Sequence, residues 1–128
     1  MNIGERCTAI EECYEFMLAY AAQGLDTDAG SQSGTQVREF LRRTVTALTG
    51  IGEGIDDSAF RAVVESDARD SLAAVELVLA QPAISSQLID NLNASIHLRA
   101  LLTDLFLLDE VLKLQNVTRA ASARTIGL

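Results

Sequence analysis

Apolar residues recur along most of this chain at intervals of three and four. Nowhere do they alternate with polar residues long enough to build a strand. The first such stretch runs from about Glu5 to Gln23: Ile10, Cys13, Met17, Tyr20 and Ala21 share one side of a 100° wheel, and Glu11, Glu12 and Glu15 lie opposite. That pattern predicts a helix, followed by a polar loop over Gly24–Gly34. A second helix is expected from Thr35, with Ser33 or Thr35 as its cap and Val37, Phe40, Leu41, Thr44, Val45, Leu48 and Ile51 as its apolar stripe. It should end in the glycine cluster Gly50–Gly54. Asp56, Asp57 and Ser58 suit the start of a third helix, whose face is Phe60, Val64, Ala68, Leu72, Val75, Val78 and Leu79. Pro82, the chain's only proline, separates it from a fourth, capped by Ser85 or Ser86 and running to about Gln115.

Four amphipathic helices joined by short links most economically form an all-α, antiparallel up-and-down four-helix bundle, here with a long fourth helix. Residues 1–115 would be one helical-bundle domain. Residues 116–128, small and polar with no long apolar stripe, would be a flexible C-terminal tail.

The fourth helix differs from the others in carrying two apolar rows. Ala94, Leu98, Leu101, Leu102, Leu105, Leu108 and Leu112 form one. Ile89, Ile96, Ala100, Leu107, Val111 and Leu114 form another on nearly the opposite side. A helix at a monomer's surface needs only one such row. The second row is therefore expected to meet another subunit, in the commonest case a twofold mate.

Charge narrows the partners. Ten basic residues against eighteen acidic ones leave a net charge of −8. An acidic surface disfavours nucleic acid, which needs a cationic footprint, and equally an anionic membrane. No apolar run approaches a membrane span. The two cysteines, Cys7 and Cys13, lie six apart on a helix, with Cα atoms about 9 Å apart, beyond the ~7 Å that a disulfide allows. With no secretory leader legible, a reduced, cytoplasmic chain is expected.

Candidate chemistry is sparse. Asp109 falls inside the core-facing row of the fourth helix, where a leucine belongs; its alternative is to reach water beside Lys113 one turn on. Asn91 lies on the same row, and Asp67 and Ser71 lie on or beside the apolar face of the third helix. With Tyr20 these define a candidate ligand-binding pocket in the bundle core. His97, the chain's only histidine, has acids only seven residues away on its side, about 10.5 Å along the axis, so no metal site is predicted. The cysteine spacing fits no zinc site, although Cys7, near a helix start, could be mildly activated. Gly50–Gly54 follows a helix and contains Glu53, which argues against a phosphate loop. Arg38, Arg42 and Arg43 are read first as a solvated face, and otherwise as partners for the acidic face of helix 1 in another subunit or for a ligand.

No catalytic constellation and no cofactor motif is present. The expectation is a small cytoplasmic homo-oligomer, a dimer first, that acts through protein–protein contact as an adaptor, assembly factor or regulator. The alternative is a bundle, enzymatic or not, that binds a small molecule in its core.

Overall fold

The computed structural model describes the backbone from Met1 to Ile126 and side chains as far as Ala121. Among these residues the chain is all-helical, with five helices, one 3-10 turn and no strand. Helix α1 (Ile3–Ala22) is capped by Asn2, whose side-chain oxygen accepts from the Glu5 N–H at 2.8 Å. Helix α2 (Gln32–Leu48) starts earlier than expected. Ser31 is its cap, accepting from the Gly34 N–H at 2.9 Å, so Ser33 and Thr35 lie inside the helix. At its end Gly50 takes a φ of +76°, the left-handed turn that glycine makes without strain, and leads into the 3-10 turn Ile51–Gly54. Helix α3 (Ser58–Leu79) is capped by Asp57, which accepts from the Phe60 N–H at 2.9 Å.

The expected long fourth helix is two helices. Helix α4 (Ser86–Ala94) is capped by Ser85, and helix α5 runs from His97 to Ile126, eleven residues past the expected end at Gln115. The break lies at Ser95 and Ile96. The Ser95 hydroxyl donates to the Leu92 carbonyl at 2.6 Å, and Ile96 takes a φ of +64°. No glycine or proline marks this point, and a β-branched residue in the left-handed region is a poor terminator. Tertiary packing imposes the turn because both flanking helices bury apolar residues. Ile89 and Leu92 enter the core from α4, and Leu98, Leu101, Leu102 and Leu105 enter it from α5.

Helix α1 packs against α2, α4 and α5, while α3 packs against α2, α5 and the 3-10 turn. Their inward faces build one core. Ile10, Met17 and Tyr20 of α1, Val37 and Leu41 of α2, and Val64 and Val75 of α3 meet the α4 and α5 residues there, with Ile84 from the α3–α4 link. Removing a fully buried side chain such as Leu101 down to alanine would cost about 2–5 kcal/mol in lost transfer energy and cavity.

The loop between α1 and α2 is pinned to the link between α3 and α4. Ser86 donates its hydroxyl to the Tyr20 carbonyl at 2.7 Å and accepts from the Leu25 N–H at 2.8 Å. The Ser86 N–H donates to the Leu25 carbonyl, also at 2.8 Å. Beside it, Asp28 lies so close under α2 that a Cβ on Gly34 would stand 1.7 Å from the Asp28 carbonyl oxygen. Only glycine fits at position 34.

Candidate functional site

Of the five residues expected to form a core pocket, the structure brings two together, and only as neighbours on α3. The buried Ser71 hydroxyl donates to the carbonyl of Asp67, one turn back, at 2.8 Å. Tyr20 is fully buried, but its hydroxyl is used by the Ile84 carbonyl at 2.6 Å, and burial pushes its phenol pKa up. Asn91 is exposed and accepts from Gln87 on its own helix at 3.2 Å. Asp109 is also exposed, with 60% of its side-chain surface in solvent, and it pairs with Lys113 at 2.9 Å. The expected pocket is therefore not assembled. Asp109 lies one turn past Leu105, the last buried residue of α5, where the helix has already left the core. It occupies the leucine row on a wheel but not in space.

Two polar clusters that do form join residues distant in sequence. The first holds the loop just described. Asp28 accepts from Arg38 Nε at 2.5 Å and from the Ile84 N–H at 2.8 Å. Arg38 donates from Nη1 to the carbonyl of Leu79 at 3.2 Å and from Nη2 to that of Gln81 at 3.0 Å. The guanidinium holds the Asp28 carboxyl down at about 2. Arg38 is thus no solvated residue: only 21% of its side chain is exposed. Arg6 similarly serves the carbonyls of Ala47 and Thr49 at the end of α2, and Arg61 serves that of Ile55. Arg43 remains at the surface and pairs with Glu12 of α1 in the same chain at 2.9 Å.

The second cluster faces Asp104 of α5 toward Asp67 of α3. Burial, followed by the neighbouring carboxyl of Asp67, raises Asp104 to about 7. One oxygen of Asp104, Oδ2, is sealed from solvent without a hydrogen-bond partner. No metal explains the pair: among the described residues no group of three or more histidine, cysteine, aspartate or glutamate side chains could hold an ion. His97 is half-buried at the first turn of α5. Cys7 is the reverse of an activated thiol. It donates to Glu11 at 3.3 Å, and burial with that acid pushes its pKa up to about 12. Cys13 is buried in the core, and burial carries it to about 11.

The outstanding surface feature is α5 itself. All thirteen residues from Asp109 to Ala121 are exposed, so roughly 20 Å of helix stands clear of the core. Several of its residues are large and apolar: Leu107 is 56% exposed, Leu114 65% and Val117 67%, with Val111 and Leu112 near 40%. Leu107, Leu108 and Val111 also form one wall of a groove of about 440 Å³, closed on the other side by Phe60, Val63 and Asp57 of α3.

The six residues expected at a subunit interface accordingly divide. Leu107, Val111 and Leu114 stand on this exposed face. Ile96 is exposed at the helix break, and Ala100 is half-buried. Ile89 is fully buried in the chain's own core, because the break at Ser95 rotates α4 out of register with α5. No helix among the described residues is long and apolar enough to cross a membrane. Comparison of the chain with protein-family models, with curated proteins and with solved structures finds no match.

Proposed function

We propose that this chain is a cytoplasmic homo-oligomer, a dimer in its simplest form, that acts through protein–protein contact as an adaptor, assembly factor or regulator. In this reading α1, α2, α3 and the α4–α5 pair form an up-and-down four-helix bundle that serves as the platform. The single observation that supports it is the exposed apolar half of α5. A lone helix of about this length is marginal in water, and the apolar groups on it are left uncovered by its own chain. A second helical surface laid along it would bury that face and hold the helix in place.

The alternative of a ligand pocket in the bundle core has no comparable support. Tyr20 and Ser71 spend their hydroxyls on backbone carbonyls, and Asn91 and Asp109 lie in solvent.

Light scattering on Leu107→Glu tests the proposal. The substitution places a charge on the exposed row, so the variant should fall to a lower mass while keeping its helical circular dichroism. An unchanged mass would remove Leu107 from the interface, and with it the main support for the reading.

A further inference from the structure

Charge is distributed unevenly along the chain, and the division falls within α5. Residues 111–128 contain Lys113, Arg119 and Arg124 and no acid, a net +3. The other 110 residues carry all eighteen acids against seven basic residues, a net −11. A basic, apolar helix therefore extends from an acidic body. That body has an apolar groove beside α5 with Asp57 on its rim and Asp56 adjacent.

The row on the projecting helix is also regular. Leu107, Val111, Leu114, Thr118 and Ala121 follow one another at intervals of four, three, four and three, the spacing of a two-helix seam. Their flanks differ. Leu108 turns one flank toward α3, because it lines the groove with Phe60 and Val63. Arg119 lies on that same flank, about 120° from Leu107 against about 100° for Leu108. In an antiparallel helix pair, like flanks meet. In a parallel pair, opposite flanks meet.

We propose that a second copy of this chain binds antiparallel along α5, about a twofold axis through the layer of Val111 and Leu114. The inference rests on the homo-oligomeric reading above and specifies its geometry. In this register Leu107 meets Thr118 of the partner subunit. Arg119 of the partner subunit then stands level with Phe106, at the Leu107 end of the groove, and the symmetric contact repeats at the other end. Each basic end is neutralised by the other copy's acidic body, and each overhang covers the other's groove. Net charges of −11 and +3 within one chain favour this arrangement over a parallel one, which would set the basic ends together.

Two measurements on the full chain test it. The first is the dimer dissociation constant of Arg119→Gln beside that of the wild type, at low and at high salt. The change should weaken the dimer by about three- to tenfold at low salt, and the difference should shrink at high salt. The second mixes Leu107→Cys with Thr118→Cys chains under oxidation, both in a Cys7→Ser background. Disulfides should form between the two variants and not within either.

A dimer that links Leu107→Cys to itself, or one that Arg119→Gln tightens at low salt, would overturn the antiparallel register and leave the homo-oligomeric reading standing. A chain that is monomeric at every concentration would overturn both. A monomer that binds vesicles of anionic lipid through Arg119 would assign the basic helix to a membrane surface, against this proposal.

Discussion

Asp28 and Arg38 form a joint that closes the fold: Asp28 Oδ2 takes Arg38 Nε at 2.5 Å while Oδ1 takes the Ile84 N–H at 2.8 Å. One carboxylate thereby ties the α1–α2 loop to α2 and to the α3–α4 link. Both side chains are largely withdrawn from water, at 13% and 21% exposure, so each charge depends on the other.

Asp28→Asn leaves the guanidinium of Arg38 without its counterion and should cost about 3 kcal/mol at neutral pH by chemical denaturation. The wild type should also show an acid limb. Its Asp28 carboxyl sits at about 2, below the ~3.9 of an unfolded aspartate. The stabilisation is therefore complete above pH ~4 and is lost as pH falls toward 2. A variant as stable as the wild type at pH 7 would show that the joint contributes nothing.

Gly34→Ala should destabilise the fold by about 2–3 kcal/mol, although alanine is the better helix former by about 1 kcal/mol. The added Cβ would meet the Asp28 backbone at 1.7 Å, and backbone cannot rotate away as a side chain can. A melting temperature equal to or above that of the wild type would contradict the close approach of the loop to α2.

Ile96→Gly should do the opposite. Ile96 holds a φ of +64° with 58% of its surface exposed, so glycine relieves strain and loses little buried area. A gain of about 1 kcal/mol is expected in the denaturation free energy. A loss would mean that the side chain, and not the backbone, matters at the junction.

These sites show what the sequence displayed and what it concealed. Periodicity located all the buried faces of α1 to α3, since Ile10, Met17, Leu41, Val64 and Val75 stand on the rows that the wheels picked out. The caps Asp57 and Ser85 were legible only as one of two or three neighbours, Asp56 to Ser58 and Ser85 or Ser86, because several oxygen-bearing side chains stand just before each run of helix formers. The break at Ile96 was not legible, because no residue there prefers a turn and the bend comes from the packing of two helices on one core. That one error continued a single wheel across the junction. It placed Ile89 on an outer row, whereas Asp109 looked buried because a wheel does not show where α5 leaves the core, one turn past Leu105. The Asp28–Arg38 and Asp67–Asp104 pairs were equally hidden, since each joins segments that only the tertiary fold brings together.

Asp104 supplies a pH signature of its own. Its pKa of about 7 exceeds the unfolded value, so the folded chain holds that proton more tightly. The associated stability is full below pH ~4, declines as pH rises and is gone above about 7. Asp104→Asn should match the wild type at about pH 4. At pH 8 it should be more stable, by an amount of order 1 kcal/mol because the group is only partly withdrawn from solvent. Equal stability of the two proteins at both pH values would mean that the carboxyls do not oppose each other.

In the proposed dimer the projecting half of α5 lies between two copies of the chain. Sedimentation equilibrium over a hundredfold range of protein concentration tests it most directly. One chain weighs 13.8 kDa. A mass of twice that value is expected for the wild type at the upper end of the range, and a single-chain mass for Leu107→Glu with its helix content intact. A wild-type mass of one chain throughout would contradict it.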